Sequence, residues 1–203
     1  MRSRTEKVNL VIEWILRLII ILTLFKSLII KDYDNVFLLI ITLFLTFYNM
    51  IVIKLFKIKL KSELKISIVL FIFGAQYLGT IKGLYVLFNW WDKLLHLVSG
   101  VIFLYIGIQL FEEINKRFND NINPILNILF GFCFMLSIGV IWEIFEFIID
   151  KYFGGNMQRT MNEYGQNALK DTISDLTFAT LGGSICFVVE FIKFKINIKK
   201  KIS

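Results

Sequence analysis

Apolar stretches of about twenty residues alternate along the chain with short polar links. The stretches near residues 8–30, 35–55, 66–88, 92–114, 125–149 and 172–194 could each cross a hydrocarbon core of about 30 Å as a helix. The pattern predicts an all-α fold, an integral membrane bundle of six transmembrane helices forming a single domain over residues 1–203. No polar stretch is long enough to fold by itself. The first apolar run is too long for a cleaved signal peptide and no small-x-small site follows it, so it is expected to stay as a helix. Asn123 and Pro124, the only proline, read as the N-cap and first turn of the fifth helix. The link IKLFKIKLKSELK (53–65) alternates lysine with apolar residues and is expected to lie in the membrane interface.

Composition strengthens this picture, since 57% of the residues are hydrophobic and 21 are Phe, well above a soluble domain of this length. The net charge of +7 does not point to nucleic acid, because the basic residues sort by membrane side rather than forming a patch with exposed aromatics. One side collects Arg2, Arg4 and Lys7, then Lys54, Lys57, Lys59, Lys61 and Lys65, then Lys116 and Arg117, then Lys193, Lys195, Lys199, Lys200 and Lys201. The other has Lys31, Lys93, Lys151, Arg159 and Lys170. By the positive-inside rule both termini are cytoplasmic in a multi-pass protein of the plasma membrane. Cys133 and Cys186 lie in apolar segments without metal-ligand spacing and read as small hydrophobes, not as a disulfide framework.

Against that background the acids of the fifth segment stand out. Glu143, Glu146 and Asp150 lie inside ILNILFGFCFMLSIGVIWEIFEFIIDKYF, and a charge at the bilayer centre costs about 2.5–3.5 kcal/mol on insertion scales. Spacings of three and four put them on one helical face, as does the spacing of Asp92 with His96 and of Asp171 with Asp175. In the lysine-set orientation all three sets fall in the outer third of the membrane, so six carboxylates and the only histidine converge. Repelling carboxylates stay together only by sharing protons or a cation. A divalent metal ion on Asp92, His96, Glu143, Glu146, Asp150, Asp171 and Asp175 is the expected cofactor, with proton or cation relay as the alternative. The plainer readings are N-caps for Asp92 and Asp171, an interfacial position for Asp150 and a hydrogen-bonded core histidine for His96. The connection 151–170, with Gly154, Gly155, Gly165 and a dense set of amides, is long enough to read as an extracytoplasmic lid or binding loop. WWDKLLHLVSG and LKDTISDLTFATLGG also share an Asp, a second ligand-type residue four later, and a following glycine.

These same stretches, WWDKLLHLVSG, GVIWEIFEFIIDKYFGGNMQ and DTISDL, resemble a set of bacterial polytopic membrane-spanning proteins, the YjdF-like inner-membrane family, and more loosely the VanZ-like proteins. The resemblance covers roughly residues 74–184 and implies a membrane location and a shared polar site on Asp92, His96, Glu143, Glu146, Asp150, Asp171 and Asp175. The chain departs from the VanZ-like pattern after Asp175, where Thr177, Ala179 and Thr180 precede Gly182 and Gly183 with no Asn.

Three functions compete. The first is an enzyme in which Glu143, Glu146 and His96 are catalytic and a divalent ion supports hydrolysis or transfer on a lipid or lipid-linked substrate. The second is a proton- or cation-coupled transporter. The third is a non-catalytic assembly partner whose acids pair with a basic residue, either in another subunit or in Arg17 and Lys26 of the first segment.

Overall fold

A computed structural model describes residues 4–48, 50, 60–118, 123–158 and 166–202, with the side chains of 166–167 and 198–202 left aside. Every element among the described residues is helical: α1 (Arg4–Ile29), α2 (Tyr33–Leu45), α3 (Ser62–Ile72), continued by π-helical turns over Phe73–Ile81, the short α4 (Leu84–Leu87), α5 (Trp91–Phe118), α6 (Pro124–Phe153) and α7 (Gln166–Ile202). Five helices are long and apolar enough to cross a membrane: α1, α3 with its π-helical continuation, α5, α6 and α7. The expected second span appears as the 13-residue α2, and its continuation through 51–59, like the first part of the lysine-rich link, lies outside the described residues.

Local chemistry explains the helix ends. Asn123 accepts a hydrogen bond from Ile125 N at 3.1 Å and Pro124 occupies the first turn, as the sequence predicts for α6. The third apolar segment stops at Ile81 rather than running on to 88, because Gly83 takes a left-handed φ of 73° that only glycine adopts cheaply. Helix α7 begins at Gln166, so Asp171 lies beyond its first turn, and Asp92 falls inside the first turn of α5. Neither is the N-cap that one reading of the sequence predicted.

The long helices are apolar outward and polar inward, the pattern of a chain whose solvent is lipid. On α6, Ile141, Ile144, Phe145, Phe147 and Ile148 are exposed while Glu143, Glu146 and Asp150 are buried. On α1, Trp14, Leu18, Leu22 and Phe25 are exposed and Arg17 and Ile20 are buried.

The chain forms two compact units, Met1–Leu95 and His96–Ser203, the boundary falling within α5. In the first, Ile20, Leu39 and Tyr77 form the core, and the Tyr77 hydroxyl shares a 2.8 Å hydrogen bond with Thr23. Arg17 donates to the Thr46 hydroxyl (3.1 Å) and carbonyl (2.9 Å), pairs with Glu13 at 3.1 Å and lies over the Phe47 ring. Its charge is thus balanced where it sits.

In the second unit α6 runs antiparallel to both α5 and α7, so that Phe132 meets Phe187 and Gly139 meets Leu176. Helices α5 and α7 are parallel, pairing His96 with Asp175 near one end and Tyr105 with Glu190 toward the other. Their backbones almost touch: a Cβ built on Gly100 would run into the Ala179 carbonyl, and one on Gly182 into that of Leu97. Small residues permit such approach, and in lipid the gain comes from van der Waals packing. Leu104, Ile108 and Met135 fill the middle of the unit.

Candidate functional site

The close crossing of α5 and α7 sets the register of the polar face. Asp175 stands one turn before Ala179 on α7 and His96 one turn before Gly100 on α5, so the contact between Gly100 and Ala179 carries the two ligand-type residues to the same level. The two motifs matched in the sequence therefore lie side by side in parallel helices, in matching register. Helix α6, entering from the opposite direction, brings Glu143 to that level.

The His96 ring lies between two carboxylates. Its Nδ1 is 4.0 Å from Glu143 Oε1 and its Nε2 is 3.8 Å from Asp175 Oδ2. Glu143 is 5% exposed and Asp175 fully buried. Both distances exceed a direct hydrogen bond but suit an intervening ion, since two ligand atoms each about 2.1 Å from one cation lie at most about 4.2 Å apart. Asp92 is buried one turn before His96 on the same helix. A buried imidazole between carboxylates of this kind could hold a metal ion.

The remaining acids are engaged differently. Glu146 accepts a 2.8 Å hydrogen bond from Trp142 Nε1 one turn away on α6. Asp150 accepts from the backbone N–H of Met157 (2.6 Å) and of Gln158 (2.8 Å), pinning the chain that leaves α6. Gln158, also buried, donates from its amide to the Thr172 hydroxyl at 3.0 Å and ties that segment to α7. The part of the expected lid that is described thus folds back on the acidic end of the unit, while residues 159–165 lie outside the described residues. Asp171 is half-buried, one turn before Asp175.

The structure brings His96, Glu143 and Asp175 to one level, and it gives Glu146 and Asp150 partners that the sequence pattern did not name. The W-x-x-x-E spacing of Trp142 and Glu146 could have revealed the first. The second depends on a turn beyond Gly154 and Gly155, for which the sequence offers only the two glycines. Lys82 stands over the Tyr77 ring at 5.3 Å.

Comparison with known proteins adds a family. Residues 12–195 match the family described as predicted membrane protein, DUF2238, which the YjdF-like naming fits. An uncharacterized protein of Thermotoga maritima is 29% identical over 125 residues, covering 61% of this chain and 58% of that relative, so the match spans less than two thirds of the relative's length. No solved structure matches. The match over nearly the whole chain, together with five membrane-length helices among the described residues, makes this a multi-pass membrane protein that belongs to the DUF2238 family.

Proposed function

We propose that this protein is an integral membrane enzyme in which a divalent cation, held at His96 between Asp175 and Glu143, supports hydrolysis or group transfer on a lipid or lipid-linked substrate. In this reading the protein is one membrane domain with six spans and cytoplasmic termini, and the acidic end faces outward. The observation that carries it is the buried imidazole between carboxylates at 3.8 and 4.0 Å, a spacing that suits an ion. A cation there would polarise a phosphoryl or acyl oxygen and activate water, and Glu146, on the same face of α6, is available to move a proton. The segment pinned by Asp150 supports a covered site at head-group depth.

The test is elemental analysis of the detergent-purified full chain with head-group release from lipid vesicles. About one equivalent of transition metal is expected, falling in Asp175→Asn together with turnover. Wild-type protein that holds no divalent ion after metal incubation would overturn the proposal.

The carrier alternative draws on a cavity of about 680 Å³ at the other end of the second unit, lined in part by Glu112, Asn127, Glu190 and Lys193. Between the two ends lie the buried Leu104 and Met135, an apolar plug that favours one-sided chemistry over passage. Cation uptake into proteoliposomes that is lost in Glu143→Gln would reverse that preference.

A further inference from the structure

The cavity of about 680 Å³ lies wholly within the second unit, between the far part of α5, the first turns of α6 and the far part of α7. Its walls join apolar side chains, Ile108, Ile128 and Phe194, to two carboxylates, Glu112 and Glu190, and one ammonium, Lys193. Glu190 is fixed in place: the Tyr105 hydroxyl donates to its Oε1 at 2.9 Å, and the Lys193 ammonium donates to the same atom at 2.7 Å. Among the described residues both bonds fall on that one oxygen, so Oε2 keeps its capacity to accept from a ligand. We infer that this cavity binds a primary ammonium carried by an amphiphile, with Glu190 as its acceptor. Nothing in this site depends on the metal reading of the acidic end.

The chemistry of the lining selects the ligand. Two carboxylates against one lysine leave the walls short of one positive charge, which favours a cation and repels an anion. The volume is far larger than a metal ion needs and falls in the range of small-molecule pockets, and the three apolar side chains call for an apolar body against them. Among organic cations, a primary ammonium brings three N–H donors for carboxylate oxygens. A quaternary ammonium brings none and is recognised by cages of several aromatic rings, of which the described lining offers Phe194 alone. Position makes the ligand an amphiphile: Leu126 and Leu129 on α6 and Ile192 and Ile196 on α7, beside the lining residues in sequence, are exposed apolar side chains on membrane-length helices, a surface for lipid to cover. Lys193, whose side chain is 59% exposed, also stands ready for a phosphate next to the ammonium, the combination of an ethanolamine phospholipid head group.

The test is native mass spectrometry of the detergent-purified full chain, titrated with phosphatidylethanolamine and separately with phosphatidylcholine of the same acyl chains. The two lipids differ only in the N-methyl groups that remove the N–H donors. Phosphatidylethanolamine is expected to bind at least about tenfold more tightly, through charge-assisted hydrogen bonds that the other head group cannot make. Glu190→Gln should erase that preference. Glu113→Gln, which removes a carboxylate paired with Lys116 and absent from the cavity lining, should keep it. Equal affinity for the two lipids in the wild type, or an unchanged preference in Glu190→Gln, overturns the inference. Dodecylamine as competitor separates the sources of the ammonium, and either result upholds the site: displacement of phosphatidylethanolamine at equal concentration admits free amphiphilic amines, and failure to displace it assigns the site to the lipid head group with its phosphate. If Glu190→Gln fails to fold, wild-type protein decides through phosphatidylethanolamine with a photoreactive group on the acyl chain near the glycerol. Label in residues 123–128 or 190–197 is expected, and label confined to other segments refutes the site.

Discussion

The contact of α5 with α7 at Gly100 is the sharpest place to test whether backbone packing sets the site. A Cβ at residue 100 would run into the Ala179 carbonyl oxygen and lie 2.8 Å from its carbonyl carbon, both backbone atoms that cannot swing aside. Restoring ordinary contact at about 3.4 Å requires the helices to part locally by at least about 0.6 Å. One turn away, the 3.8 Å gap between His96 Nε2 and Asp175 Oδ2 would open to about 4.4 Å, beyond the roughly 4.2 Å that two ligands of one ion can span. Gly100→Ala should therefore lower metal affinity at least about tenfold, with an overpacking cost of about 1–3 kcal/mol. Gly139→Ala is the control, because its added Cβ meets nothing closer than Leu176 Cδ2 at 3.6 Å and both affinity and stability should be kept. Calorimetric metal titration and thermal unfolding in detergent read the two quantities. A folded Gly100→Ala protein with wild-type affinity would refute the claim that this crossing positions the ligands.

Other consequences are equally direct. Asp150→Ala removes the acceptor of two backbone N–H groups, each charge-assisted bond contributing about 1.5–3 kcal/mol, so amides of residues 155–158 should exchange hydrogen markedly faster by mass spectrometry, while those of α5 should not change. Arg17→Met leaves Glu13 in a half-buried position without its guanidinium partner and should lower stability by about 3 kcal/mol; Arg17→Met with Glu13→Leu should recover most of it in thermal unfolding. In a background lacking Cys133 and Cys186, a cysteine at Asn156 should react with an impermeant thiol reagent added to intact cells and one at Glu63 should not; the opposite pattern would reverse the proposed orientation.

Much of the candidate site was legible because lipid makes acids conspicuous. Glu143, Glu146 and Asp150 interrupt an apolar run, and a period of 3.6 residues puts them on one face before any tertiary contact is known. The face is indeed the buried one. Which acid meets His96 was not legible. Glu143 and Glu146 are one turn apart with the same chemistry, but only Glu143 lies at the level of the imidazole, while Glu146 receives the indole of Trp142. Asp171 and Asp175 are likewise equivalent in pattern, and the helix begins far enough upstream that neither acts as its cap.

The two kinds of information divide along the range of the forces involved. Hydrophobic run length, an Asn-Pro start and helical periodicity act within one segment and the membrane around it, so the sequence alone determined the all-helical class, the polar faces and, among the described residues, membrane-length helices at five of the six expected spans. The hydrogen bonds from Arg17 to Thr46 depend on contact between distant parts of the chain. Above all, the contact between Gly100 and Ala179 decided which ligand-type residues meet. A one-turn slide of either helix would preserve every face and every pattern in the sequence. It would move Asp175 about 5 Å along the helix axis, away from His96, and only the fit of two backbones against each other prevents it.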